Sequence, residues 1–281
     1  MRNYVEGSLS YLLISASLAL ATPCGPGEMF DRFPNAPANL VRLFEQAENG
    51  DPLSQFQTGL AYETGMGIGQ NYVEAAKWYR KAADHGNPGA QNNLGGLYSR
   101  GLGVKQDDSE ALKWYLRAAM ESFPAAENNV GFMYANGRGT APDSNAAFSW
   151  YRKAAAKGYA PAESNLGFMY ANGKGVVADS KTAIEWYHRA AKQAYPPAEF
   201  NLGLIYLNDP KQADLAKAVR WVSIAAEHGF ADAQNQLGVL YETGRGVATD
   251  YRIAAKWFSL AAKQGFVQAQ HNLEFLPGRL Q

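Results

Sequence analysis

An all-α solenoid of about six 36-residue helix-turn-helix repeats, closed by terminal half-repeats, is the fold this sequence predicts. Three observations carry it. Six tryptophans, Trp78, Trp114, Trp150, Trp186, Trp221 and Trp257, are separated by 36, 36, 36, 35 and 36 residues. Two blocks of apolar residues recur with them at helical spacing. Turn and cap residues punctuate each block at fixed offsets. A period in this range marks a stack of similar units.

The chain opens on a segment unlike the rest. An apolar run from Leu9 to Ala21 follows Arg2 and ends in Ala19-Leu20-Ala21. It is shorter than the roughly 20 residues of a spanning helix. A signal peptide over 1–21 is expected, then a flexible leader over 22–37. Cys24, the only cysteine, offers neither a disulfide framework nor a metal cluster. Ala21-Thr22-Pro23 ahead of it makes a poor lipid-attachment site. Residues 38–51 then read as a half-repeat, a second-type helix with Leu40, Phe44 and Ala47 but Arg42 at the tryptophan position.

Six full units follow, approximately 52–87, 88–123, 124–159, 160–195, 196–230 and 231–266. Each begins with helix A, which in the second unit holds Ala90, Leu94, Gly95 and Tyr98. Leucine and tyrosine four apart share a face. The glycine weakens the helix by up to about 1 kcal/mol, so its recurrence implies close approach of a neighbour. Asp51-Pro52 and Asn87-Pro88 are an N-cap with proline in the first turn. Paired glycines such as Gly101 and Gly103 end helix A, the first as a left-handed stop. Helix B carries Ala111, Trp114, Tyr115, Ala118 and Ala119 on one face. Its N-caps are Asn71, Asp107, Asp143, Asp179, Asp214 and Asp250, with Glu74 and Glu110 placed for a capping box. The tryptophans are taken as the buried anchors of this face. The fifth unit lacks the glycine pair and reads Asn208-Asp209-Pro210-Lys211 instead, so its loop varies while its helices persist. A half-repeat over 267–276 and a tail over 277–281 finish the chain.

These columns resemble the Sel-one-like repeat family, a branch of the tetratricopeptide superfamily. The resemblance rests on Leu94-Gly95, Tyr98, Gly101-x-Gly103-Val104, Asp107, Ala111, Trp114-Tyr115 and Ala118-Ala119, repeated about six times over residues 38–276. It implies a right-handed α/α solenoid and adaptor work between proteins. Some exported relatives clamp each repeat with a cysteine pair, which this chain lacks.

Candidate chemistry is sparse. With 26 basic and 26 acidic residues, the chain has no surplus charge for neutralising phosphates, which argues against nucleic acid. Arg80-Lys81, Arg117, Arg152-Lys153 and Arg189, near helix B ends, read as macrodipole partners on a solvated face; a basic interaction stripe is the other reading. His85, His188, His228 and His271 form no zinc-ligand pattern. His85 and His228 share a column at the end of helix B and read as partners of its C-terminus. The glycine loops follow helices, where a phosphate cradle follows a strand, and no nucleophile elbow occurs. No cofactor, no metal and no enzymatic activity are expected.

Two polar ladders run along helix A. Asn93, Asn129, Asn165, Asn201, Gln236 and Asn272 are placed to bridge neighbouring units or to meet a ligand. Glu127, Glu163 and Glu199, flanked by Gln91 and Gln234, are either solvated or binders of a basic partner segment. In related solenoids helix A lines the concave surface. The face opposite Leu94 and Tyr98 holds Asn92, Arg100, Asn128, Phe132, Asn136, Ser164, Phe168, Asn172, Phe200 and Leu204, the candidate protein-binding residues: apolar anchors mixed with amides, suited to an extended peptide. Phe132, Phe168 and Leu204 are alternatively packed against the next unit, and Phe200 is the least expected in the core. The function expected is a non-enzymatic scaffold, exported to a bacterial periplasm or secreted, that binds a protein or peptide along the helix A face. The alternatives are an exported cell-wall-related, penicillin-binding or β-lactamase-like protein, and a cytoplasmic regulatory adaptor.

Overall fold

The computed structural model describes residues 38–276. The expected signal peptide, the leader with Cys24 and the tail lie outside the described residues. Among those described there are fourteen helices and no strand. They are α1 (Ala38–Glu48), α2 (Pro52–Thr64), α3 (Tyr72–Asp84), α4 (Pro88–Arg100), α5 (Asp108–Met120), α6 (Pro124–Asn136) and α7 (Ser144–Ala156). There follow α8 (Ala160–Asn172), α9 (Ser180–Ala191), α10 (Pro196–Asn208), α11 (Leu215–Glu227), α12 (Ala231–Thr243), α13 (Tyr251–Lys263) and α14 (Val267–Phe275). Even numbers from α2 are helices A and odd numbers helices B; α1 and α14 are the half-repeats.

The chain divides into two bodies, one ending at Ala154 and the other beginning at Ala155. In the first, each helix from α1 to α6 packs on the next; in the second, each from α8 to α14 does. This consecutive packing of helix pairs is an α/α solenoid architecture.

Local chemistry sets the helix limits. Asp51 and Asn87 accept from first-turn amides of α2 and α4. α6, α8 and α10 start after Phe123, Tyr159 and Tyr195 and have proline in the first turn, whereas α12 and α14 start after Phe230 and Phe266 without one. Every helix B takes its N-cap from the expected Asn or Asp, at 2.9 to 3.1 Å. The capping box is not formed. Glu74 and Glu110 instead pair with Lys77 and Lys113 one turn on. The N-cap amide is already engaged, because it donates to the backbone carbonyl of the helix A tyrosine: Asn71 to Tyr62, Asp107 to Tyr98, Asp250 to Tyr241. The tyrosine column thus holds the loop through its main chain.

The two glycines of each loop do different work. Gly101 has φ 69° and ends α4 in the left-handed conformation. Gly103 (φ 68°) lies against the start of α3 in the preceding unit, where a Cβ would stand 2.2 Å from the Tyr72 carbonyl. The fifth unit, without such glycines, ends α10 on an extended Asp209 and still begins α11 after Asp214.

The packing centre of each unit is one residue beyond the tryptophan. Tyr79, Tyr115, Tyr151, Tyr187, Val222 and Phe258 are all buried. Each lies on the helix A glycine of its own unit: Gly59, Gly95, Gly131, Gly167, Gly203 and Gly238. A Cβ on Gly131 would come within 2.7 Å of the Tyr151 ring, which is why this column excludes every larger residue. The tryptophans were expected to be the buried anchors. Trp78 and Trp114 are buried, but Trp150, Trp186, Trp221 and Trp257 are only partly covered. Adjacent helical residues point about 100° apart. With the glycine seat occupied by the second residue, the indole takes the flank.

Candidate protein-binding face

The expected face is assembled from helix A residues, and each body presents its own part. In the first body, Asn92 on α4 accepts from Asn129 on α6 at 3.0 Å and donates to Asn93. Asn93 in turn donates to the Tyr79 hydroxyl on α3 at 3.1 Å. Asn272 on α14 repeats the bridge in the second body, donating to Asn235 on α12 at 2.9 Å. The amide ladder therefore bridges units at these positions, and Asn92, expected on the binding face, belongs to it. Asn128 and Ser164 are 2% and 5% exposed, so they too sit within the packing.

The remaining candidates reach the surface. Arg100 is exposed, with Nε donating to the Gly96 carbonyl and a guanidinium nitrogen 3.3 Å from Glu63. Asn136 and Asn172 are exposed and donate to the carbonyls of Phe132 and Phe168, at 2.9 and 2.8 Å. Thr64 and Thr243 make the same four-residue return bond. The last residue of helix A thus helps satisfy the carbonyls left open at a helix end. The sequence signal was a column of donors: Thr64, Arg100, Asn136, Asn172 and Thr243. Phe132, Phe168, Phe200 and Leu204 are partly buried. Phe168 and Phe200 pack at the edge of the second body's core. Phe200, the residue least expected there, meets Phe230 edge-to-face with ring centres 5.5 Å apart.

The carboxylate ladder is neither solvated nor open to a basic partner. Glu127, Glu163 and Glu199 are 2, 2 and 1% exposed, and Gln55, Gln91 and Gln234 in the same column are also buried. The column lies in the first turn of helix A, beneath the end of the preceding helix B. Where it is glutamine, Nε2 donates to a carbonyl there: Gln55 to Ala47, Gln91 to Ala83, Gln234 to Ala226. The other side of the column meets a polar residue near the end of the unit's own helix B. Gln55 faces His85 at 3.1 Å and Gln234 accepts from Gln264 at 2.9 Å. Glu163 accepts from Arg189 and Gln193, and Glu199 lies 2.8 Å from His228 Nδ1. His85 and His228 thus do sit at helix C-termini, but their specific partners are these buried side chains. The signal was a second polar column about 30 residues downstream, which the single-helix reading did not connect to the first.

A separate buried group joins the first two units. The Tyr79 hydroxyl donates to Glu63 at 2.6 Å, and Arg100 closes the far side of the carboxylate. Burial, then the Glu63 charge, raises the Tyr79 hydroxyl far above the ordinary range, and burial pushes Tyr115 up to about 12. Both hydroxyls stay neutral at any physiological pH. Among the described residues, no group of three His, Cys, Asp or Glu side chains is placed to hold a metal. No described helix is long and apolar enough to cross a membrane.

Comparison with known proteins agrees with this architecture. The model of the Sel1 repeat matches residues 52–87, 88–123, 124–159, 160–195, 196–230 and 231–266. A Sel1 repeat protein from Oxalobacter formigenes is similar in structure, at 35% identity and TM-score 0.70, over 83% of this chain and 68% of the other. A protective antigen of uropathogenic Escherichia coli strains, displaying the same repeat fold, is 32% identical with TM-score 0.51. That match covers 85% of this chain and 59% of the antigen's length. An immunity protein from Pseudomonas aeruginosa, 20% identical with TM-score 0.52, covers 88% of each chain and shares the fold. No curated protein gives a significant match. Sel1 repeat proteins are generally protein-interaction scaffolds, and the fold is typically non-catalytic. With six matched repeats, and helix pairs packed in sequence around a glycine-seated column of large apolar side chains, the chain belongs to the Sel1 repeat family.

Proposed function

We propose that this chain is a scaffold that binds a polypeptide partner on the helix A face of its repeats. A repeated pair supports this reading. A partly buried apolar residue precedes an exposed asparagine by one helical turn in three consecutive units: Phe132 with Asn136, Phe168 with Asn172, and Leu204 with Asn208. Residues four apart share a helix face, so each pair offers an apolar ledge beside an amide. An extended segment is recognised in this manner, with side chains on the ledges and main chain against the amides. Each body carries its own stretch of such a surface: Arg100, Phe132 and Asn136 in the first, and Phe168, Asn172, Phe200 and Leu204 in the second. Asn92, Asn128 and Ser164 support this face from within.

The test is capture of partners from bacterial envelope extract by the wild-type chain and by Phe168→Ala/Asn172→Ala. The double variant is expected to melt cooperatively and to lose most of the captured protein. A folded double variant that retains every partner at wild-type yield would falsify the proposal.

A further inference from the structure

A second surface is laid out on the helices B of the first body. Arg80, Lys81, Arg117, Arg152 and Lys153 are all exposed. Complementing the helix macrodipole would call for such cations in the last turn of every helix B. The column of Lys81, Arg117, Lys153 and Arg189 instead continues as Ile224 and Leu260, and α11 has no basic residue in its last turn. Since α13 still has Lys263 in its last turn, it is the one column of Lys81, Arg117, Lys153 and Arg189, and not last-turn charge in general, that is confined to part of the array.

Their surroundings differ from those of the ion-paired cations. Lys77 and Lys113 are tied to Glu74 and Glu110, and Arg189 to Glu163. None of the five has a carboxylate partner among the described residues. Four are held on aromatic rings instead. Lys81 Nζ lies 3.8 Å from the centre of the Trp78 ring, and Lys153 Nζ 3.8 Å from that of Trp150. Arg117 Cζ lies 4.4 Å from the Trp114 ring centre. Arg80 reaches the same Trp114 ring from the preceding helix B, with Cζ at 5.4 Å, and donates to the Tyr98 hydroxyl. One indole thus fixes two guanidinium groups from successive units within about 10 Å of each other. Like charges fixed so close without a counter-charge favour an anion between them.

We propose that this face binds an acidic, extended polypeptide segment. The ring faces carry cations, and Trp78 and Trp114 are buried, so they are not platforms on which bases stack. On α3, α5 and α7 the large apolar side chains that are exposed are Val73 and Met120, one at the start of α3 and one at the end of α5. Two such residues do not make the apolar face that an interfacial helix sinks into a bilayer. A polyproline II segment has three residues per turn and rises about 3.1 Å per residue. Its residues three apart therefore stand on one side, about 9 Å apart. Carboxylates at that interval fall within the limit of about 10 Å that the ring contacts set on the separation of the two guanidinium groups at Trp114.

The probe is a fluorescein-labelled peptide of four Glu-Pro-Pro repeats, titrated with the full chain and followed by fluorescence anisotropy. The Gln-Pro-Pro peptide is the control. The acidic peptide is expected to bind at least about tenfold more tightly than the control and to weaken as salt is raised. Arg80→Gln/Arg117→Gln should lose about tenfold. Lys81→Gln/Lys153→Gln, whose side chains lie on the surface and leave the core untouched, should lose several-fold. Arg117→Lys should retain more binding than Arg117→Gln. Phe168→Ala/Asn172→Ala should bind the probe as the wild type does, which separates this surface from the helix A face. Equal binding of both peptides, wild-type affinity in folded charge variants, or preference for single-stranded DNA or phosphatidylglycerol vesicles over the acidic peptide would each overturn the assignment.

Discussion

The second unit, in the first body, and the fifth, in the second, are built on the same two helices with different side chains at almost every special position. The second seats Tyr115 on Gly95, and the fifth seats Val222 on Gly203. The second turns from helix A to helix B through Gly101 and Gly103; the fifth does so through an extended Asp209. Beneath the preceding helix B the second places Gln91, an amide donating to Ala83, and the fifth Glu199, a carboxylate facing His228. What stays constant is the seat on a helix A glycine and the capture of the helix B N-cap amide by a tyrosine carbonyl. Such a repeat tolerates change in its loops and polar contacts, and tolerates little where two backbones approach.

That contrast predicts its largest effect in the column one beyond the tryptophans. Tyr151→Ala removes a buried ring resting on Gly131 and is expected to cost about 3–5 kcal/mol. Trp150 is only partly covered, one face carrying Lys153, so Trp150→Ala should cost roughly half as much. Urea denaturation of both variants decides the order. A larger drop in midpoint for Trp150→Ala would return the indoles to the centre of the fold.

This ordering marks where sequence reading stopped. Period, helix limits, N-caps and the close approach at glycine were legible because each depends on local backbone chemistry that a single unit displays. Which of Trp150 and Tyr151 is central was not, since both are apolar and adjacent, and only the opposing glycine decides between them. The burial of Glu163 and Glu199 was hidden for a related reason. A carboxylate reads as solvated until its partners Arg189, Gln193 and His228, 26 to 30 residues away, are brought beside it. The candidate face was read from helical geometry alone. That geometry located Phe132, Phe168 and Asn172 at the surface or its edge, but it could not register the bridge that Asn92 makes to Asn129 in the next unit.

A smaller effect comes from exchanging the buried column. Gln91→Glu places an acceptor-only group against the Ala83 carbonyl that Gln91 now serves as donor. Losing that bond and crowding two acceptors should cost about 1–3 kcal/mol. Glu199→Gln keeps an acceptor for His228 and gains a donor, so its cost should stay below about 1 kcal/mol. Paired denaturation curves test the asymmetry. Equal losses would show that the column responds to charge alone and that donor and acceptor roles do not matter.

The smallest expected effect separates two histidines of the second body. His228 faces the Glu199 carboxylate. His188 lies edge-on to Trp221, with ring centres 5.2 Å apart. Burial, with Lys192 and Lys217 adding to it, holds the His188 imidazole below its ordinary value of 6.5. The fold therefore favours neutral His188 more than the unfolded chain does. Its contribution is fully present above the unfolded value and is lost as pH falls through the lower folded value. His188 is only partly buried, so solvent screening keeps the effect to a few tenths of a kcal/mol. His188→Gln should accordingly flatten the stability profile slightly between about pH 7 and pH 5. The proton resonances of the His188 ring supply the direct reading: a midpoint above that of a free histidine would mean that a carboxylate, and not the indole and two lysines, governs this side chain.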